Sequence, residues 1–414
     1  MLRGDLGAGT ALAMRLVQRA AEVSGAERLI DISRAHVDSC LYHGEATLDF
    51  VQRLADGRAR VRVPTTLNVG AVDLLHPELY RGDQAVAERG RLLMDRYRSL
   101  GARPTYTCAP YHLADARPAR GEQVAWGESN AIAFCNSVLG ARTNRYGDFL
   151  DVAAAITGRV PDAGLHRTEA RRATLVLRLA PDVPPALRDA DVLFAVLGIV
   201  LGRRAGSTVA AIDGLPPGQP EDRLKALAAA AASSGSVAMF HVVGSTPEAS
   251  TLADALHHQP ASAEELIGLD DLRSARGELS TAASHEPLRA VSLGTPHASL
   301  AALGRYADML KHRRVHPDIE LLVSTGRDVL ATADERGIAG RLRGAGAELL
   351  VDTCSYIAPI LRPTGGTVMT DSAKWAWYAP GNIGARVIFG SSADCIDSAV
   401  SGRVVRDDAI WGVS

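Results

Sequence analysis

Short apolar runs that end in polar residues recur along this chain, and helical patterns alternate with them. Leu29–Ser33, Val237–Val243, Glu320–Ser324, Glu348–Val351 and Arg386–Phe389 are such runs. Residues 45–54, 85–100, 223–234 and 300–312 carry the helical spacing between them. Strand and helix in alternation from end to end admit few folds: the strands lie mostly parallel, and helices cover the sheet faces. The fold class is therefore α/β with largely parallel sheets. Aromatic residues make up only 5 % of the chain while Ala and Gly are plentiful, which favours tightly packed helices on sheets over a β-sandwich.

A length of 414 residues with 47 % hydrophobic and 22 % charged content suits two or three domains with a large core. No internal repeat, charge block or low-complexity linker divides them. The stretch from about 170 to 285 lacks cysteine and reads as a supporting α/β unit, and the pattern restarts near Leu288. Domains are expected at 1–165, 166–287 and 288–414. A net charge of −2 argues against a nucleic-acid or acidic-membrane binder. The N-terminal helix carries Arg15 and Arg19 inside its apolar face, unlike a secretion signal. The most apolar run, Val192–Gly202, is too short to span a bilayer and reads as a buried helix. A soluble, cytoplasmic protein is expected.

The five cysteines are Cys40, Cys108, Cys135, Cys354 and Cys395. They are scattered, odd in number and lack a CxxC, so neither a disulfide framework nor a zinc ribbon fits. Buried thiols are the plain reading for each. Cys108, Cys354 and Cys395, however, each lie at or just after a predicted strand end, as do His36, Asn68, Thr295 and Arg327. Ligand sites in parallel sheets lie beyond the carboxyl ends of strands. Three thiolates meeting there would leave one position open on iron or an iron–sulfur cluster acting as a Lewis acid, and zinc fits them equally well. Ala59–Val63 alternates Arg with apolar residues and is expected to be a strand, leading to Thr66 and Asn68.

The densest polar stretch is Trp126–Arg145. Ser129 is the expected cap of a helix that Gly140 stops, and Asp148 the expected cap of the next. The loop between them presents Arg142, Asn144 and Arg145. Fixed Arg and Lys donors, with Lys374 and Ser372 further on, suit carboxylate recognition. Beside a Lewis acid, such a clamp suits elimination of a hydroxyl group next to a carboxylate.

Blocks spread along the chain resemble the large subunit of the aconitase X family. They include HVDSCLYHG at 36–44, PTTLNVGAVDLLHP at 64–77, PTYTCAPY at 104–111, AWGESNAIAFCNSVLGARTNRYGD at 125–148, VDTC at 351–354, DSAKWAWYAPG at 371–381 and ADCIDSAVSG at 393–402. The resemblance implies an aconitase-like fold of three α/β domains around an iron-centre cleft. Cys108, Cys354 and Cys395 would be the iron ligands, on a two-iron (2Fe-2S) or four-iron (4Fe-4S) cluster or a mononuclear iron. A swivelling fourth domain, expected to be absent here, would come as a small partner subunit carrying the catalytic serine. His36 or His297 would protonate the leaving hydroxide. Lys374, with Arg142 and Arg145, would hold the substrate carboxylate, and Thr66, Asn68, Glu128, Ser129, Asn130, Asn144 and Ser372 would surround the substrate. The family pattern near NSGKWAHY departs here at Asp371, Ala373 and Trp377. The RTNRYGDF run resembles members that dehydrate cis-3-hydroxy-L-proline. The alternatives are phosphomevalonate dehydration and a non-enzymatic iron-responsive binding protein.

Overall fold

A computed structural model describes residues 1–362 and 366–412. In the first part of the chain, β1 (Leu29–Asp31), β2 (Ala35–Val37), β3 (Thr65–Leu67), β4 (Ala125–Trp126) and β5 (Arg159–Pro161) form two small sheets. β3, β2 and β4 lie side by side and parallel, with His36 opposite both Thr66 and Trp126, while β1 pairs with β5 antiparallel. The middle part forms a parallel sheet of β6 (Leu175–Leu179), β7 (Ala210–Asp213), β8 (Phe240–Val242) and β9 (Ala263–Ile267), in the order β8-β7-β6-β9. The last part adds β10 (Leu288–Ala298), β11 (Glu320–Thr325), β12 (Ala347–Leu350), β13 (Thr367–Thr370) and β14 (Arg386–Phe389). Their order is β12-β11-β10-β13-β14, again all parallel.

The expected parallel α/β architecture is thus present, with local departures. Residues 59–63 are not a strand. Val61 and Arg62 each donate one backbone hydrogen bond, to Leu100 and to Ala155, and no ladder follows. The strand is instead Thr65–Leu67, one step later. β9 escapes the apolar pattern because only Ile267 of its five residues is buried, as suits an edge strand.

The apolar run near 192–202 forms the helix Asp191–Ala205, buried almost all round. It packs against the Ala-rich helix Glu221–Ser234. The contact is close enough that a Cβ on Gly198 would lie 2.5 Å from Ala230 Cβ, so glycine is required there. The largest apolar cluster includes Trp126 and Phe134 from the first part, Leu197 from the middle and Trp375 and Phe389 from the last. Packing therefore fixes the three parts of the chain relative to one another. No helix among the described residues is long and apolar enough to cross a membrane.

Candidate metal centre

Cys108, His297 and Cys354 each offer a ligand atom, and these atoms lie within 4.8 Å of one another, all buried. Three separate segments deliver them. Cys108 ends an extended run beside β3, where Thr107 N–H donates to the Leu67 carbonyl at 3.1 Å. His297 lies near the end of β10, and its backbone N–H donates to Cys108 Sγ at 3.3 Å. Cys354 follows β12 in a turn whose Asp352 has a φ of 63°. That turn is anchored on several sides. Arg327 grips the Asp352 carboxylate, Leu74 N–H donates to it at 3.0 Å, and Gly70 N–H donates to the Asp352 carbonyl at 2.7 Å. Unusual backbone held this firmly marks places where side-chain position matters.

The two thiols titrate as a pair. Burial pushes the Cys108 thiol up, but the hydrogen bond with Cys354 and the nearby His297 and Lys374 outweigh it and bring Cys108 down to about 6. Cys354 is held well above the ordinary thiol value by its bond to Cys108 and by burial. The His297 ring has a partner on each nitrogen, Thr107 Oγ1 at 3.0 Å and the Thr353 carbonyl at 3.2 Å. A bound metal would replace one of these bonds. The hydroxyl of Thr353, next to Cys354, is buried without a partner. Two sulfurs, one imidazole and an orphaned polar atom fit a thiophilic first-row metal with an open position.

Beside this group lies a buried ion pair between Lys374 and Glu128, at 4 % and 6 % residue exposure. Burial works against the Lys374 charge, and Glu128 overrides it, so the ammonium is held strongly protonated. Ser372 starts the Lys374 helix, Ala373–Ile383, its hydroxyl accepting from Trp375 N–H at 3.0 Å. Glu128, not Ser129, caps the helix Ser129–Phe134, with a φ of 64° and its carboxylate accepting from Ala131 N–H. Ser129 stays half-buried beside it. Asn130 ties this helix to the metal ligands: its amide N–H donates to the Cys108 carbonyl at 3.0 Å, and its oxygen accepts from Tyr111 OH at 2.7 Å.

Family-wide profiles match the chain in three pieces: aconitase X first domain over residues 1–169, second domain over 173–277 and third domain over 288–401. The chain belongs to the aconitase X family. It is 43 % identical to the cis-3-hydroxy-L-proline dehydratase of Pseudomonas aeruginosa, over 99 % of this chain and 70 % of that protein. Identity to the enzyme of the same name from Hypocrea jecorina is 42 %, over 97 % of this chain and 67 % of that one. The phosphomevalonate dehydratase large subunit of Methanothermobacter thermautotrophicus is 36 % identical, over 94 % of each chain. The crystal structure of Thermococcus kodakaraensis aconitase X in its holo-form superposes with a TM-score of 0.85. It is 31 % identical, over 96 % of this chain and 97 % of that one.

For this aconitase X chain, several expected site residues are arranged differently. Cys395 does not join Cys108 and Cys354; His297 occupies the third place. The Ser391–Asp394 capping box fixes the start of the helix Ser392–Ser401, and Cys395, in its first turn, points into the core that holds Met369 and Ile396. Burial, then Asp371 and Asp394, push its thiol well up. Cys395→Ser is therefore expected to leave metal content intact. His297→Ala is expected to weaken metal binding by more than the roughly 10–100-fold cost of losing an outer-sphere partner. Iron per chain after anaerobic reconstitution measures both, and the reverse order would restore Cys395 as the ligand.

Arg142 and Asn144 hold the loop rather than face the metal group. Arg142 donates to the His166 carbonyl and to Thr168 Oγ1, each at 2.9 Å. Asn144 donates to the Ala163 carbonyl at 2.9 Å and accepts from Leu165 N–H at 2.8 Å. Arg145 is exposed. The second helix of this stretch starts at Phe149, not Asp148, as its cap. His36 is fully buried, bonded to Thr66 Oγ1 at 2.8 Å, and burial pushes its pKa down to about 3. A ring held neutral near pH 7 lacks the imidazolium proton that the role expected of His36 calls for. Asn68 donates instead to Asp38, a residue that pattern reading placed only in a general polar cluster. Lys225 was not anticipated either. It sits in an Ala-rich helix, yet its ammonium reaches the His297 carbonyl at 3.3 Å and pairs with Asp222 at 3.2 Å.

Proposed function

We propose that this chain is the large component of a hydro-lyase that dehydrates cis-3-hydroxy-L-proline to Δ1-pyrroline-2-carboxylate. The observation that carries this reading is identity of 43 % and 42 %, over nearly the whole chain, to two dehydratases of that substrate. Phosphomevalonate dehydratase large subunits are less similar, at 36 % for one of them.

The resident cofactor in this reading is iron, held by Cys108, Cys354 and His297, as a single ion or a small iron–sulfur cluster. Bound there, it would supply Lewis acidity toward the 3-hydroxyl. The Lys374 ammonium, kept charged by Glu128, draws the substrate carboxylate. The buried walls exclude water and strengthen that attraction. The C2 proton goes to a serine on a swivelling domain supplied by a small partner subunit. One observation supports such a partner: relatives are named large subunits of phosphomevalonate dehydratase. Five buried cysteines, all free, favour the reducing cytoplasm.

The deciding experiment reconstitutes the chain with iron and a small subunit encoded beside it, then assays both substrates. A preference for cis-3-hydroxy-L-proline of about 100-fold or more in kcat/KM is expected. Comparable turnover of phosphomevalonate would overturn the assignment. Iron and sulfide analysis of the same sample distinguishes a cluster from a single ion.

A further inference from the structure

Elimination of water needs a proton for the departing oxygen, and both histidines expected to give it are unsuited. His36 is buried and neutral, and His297 is committed to Thr107, Thr353 and the metal group. Asp38 is the carboxyl that follows β2 and lies near Glu128. The parallel strands β3, β2 and β4 end in Asn68, Asp38 and the Gly127–Glu128 pair, side by side at the carboxyl edge of the sheet. Ligands of parallel sheets bind beyond this edge.

Asp38 is held rigidly. Its N–H donates to Asp151 Oδ2 at 2.6 Å, and Ser39 N–H and Oγ donate to the same carboxylate at 3.1 and 2.9 Å. Gly127 lets Asp38 come close to β4, because a Cβ on Gly127 would lie 2.9 Å from Asp38 Cβ. The Asn68 amide N–H bonds the Asp38 carboxyl, while the Asn68 oxygen is buried without a partner. Asp38 is half-buried, whereas Glu128, Lys374, Cys108 and Cys354 are buried. The charged groups facing it are acidic: Glu128 beyond β4, and Asp148 and Asp151 at the start of the helix Leu150–Thr157.

We propose that Asp38 is the acid that protonates the leaving hydroxyl in the dehydration. The inference rests on the dehydratase reading above. The C2 proton leaves to the base, and its electron pair turns the C2–C3 single bond into a double bond. The C3–O bond breaks with its electrons on oxygen, and the Asp38 proton completes the water. The resulting enamine then tautomerises, moving the ring N–H proton to C3, to give the Δ1-imine. Asp38 remains as a carboxylate and regains its proton from solvent through its exposed side. Desolvation, then the neighbouring Glu128, outweigh the Asn68 bond and push the carboxyl up to about 8, so the acid form is present at neutral pH.

The test compares leaving groups in the iron-loaded enzyme assembled with its swivelling domain. In Asp38→Asn, turnover of cis-3-hydroxy-L-proline is expected to fall about 100-fold or more, while chloride elimination from cis-3-chloro-L-proline, which needs no proton, changes less than about threefold. Equal losses on both substrates, or unchanged hydroxyproline turnover, overturn the proposal. Wild-type enzyme gives a second measurement that needs no variant. The kcat for hydroxyproline should fall as pH rises through about 8, and that for chloroproline should not; a flat hydroxyproline profile overturns the proposal. The iron-free protein gives a third: its infrared spectrum should show a protonated carboxyl at pH 7 that is missing from Asp38→Asn, and absence of that band in the wild type overturns the proposal. No dehydration of cis-3-hydroxy-L-proline by the wild type overturns the function reading and Asp38's role with it. Wild-type turnover with equal losses in the variant overturns only Asp38.

Discussion

Cys108→Ser is expected to strip the iron from this protein and to lower dehydration by about a thousandfold or more. Cys108 is the centre of the metal group in two senses. It is the thiol brought down to about 6, so it is the sulfur that binds as thiolate most readily. It also accepts the His297 backbone N–H and bonds with Cys354, so its removal disturbs both other donors. A serine hydroxyl keeps the volume and offers a hard, protonated oxygen in place of a soft anion. Iron per chain and kcat, measured on the same preparation, check the prediction. Full activity in an iron-free Cys108→Ser protein would sink the Lewis-acid scheme, and full iron with lost activity would point to a proton-transfer role for the thiol.

Lys374→Met should produce the largest loss of stability, because it leaves the Glu128 carboxylate buried without its cation. Breaking a buried pair from one side costs on the order of 3–5 kcal/mol. Restoring neutrality with Glu128→Gln in the same chain should return most of that stability, since the penalty comes from the orphaned charge rather than from a lost attraction. Activity should not return with it, because the substrate carboxylate still lacks its ammonium partner. Urea unfolding midpoints and kcat/KM of the two single variants and the double variant measure both effects. A double variant that regains turnover would mean that Lys374 is structural and that another cation holds the carboxylate.

The cost of the Lys374–Glu128 pair also explains why the site is hard to read from the residues in order. Pattern reading names both residues as part of the substrate surroundings, but they are 246 positions apart. Nothing in either stretch announces that each is the other's counter-ion. Glu128 is a helix cap in the structure, while the pattern points to Ser129 one position later. The φ of 64° at Glu128 decides this, and backbone angles of that kind follow from packing on both sides.

What the sequence determines by itself is local. Strand and helix periods are repeated every few residues, so the parallel α/β class, the buried helix Asp191–Ala205 and the stop at Gly140, with its φ of 68°, follow from neighbours in the chain. The rule that sites gather at strand ends also carries far, placing Cys108 and Cys354 together before any coordinates exist. The direction of a side chain is another matter. Cys395 obeys the same strand-end rule and yet points into a core, because it lies in the first turn of a helix whose capping box and packing set its rotation. Arg142 and Asn144 look like ligand-binding residues in a polar loop. Their partners are backbone groups of residues 163–168, which reach them only through the fold. His36 and Asp38 are two positions apart and similarly polar in sequence. Tertiary burial pushes the pKa of the ring down to about 3 and that of the carboxyl up to about 8, because the free energy of a charge depends on its surroundings more than on its neighbours along the chain.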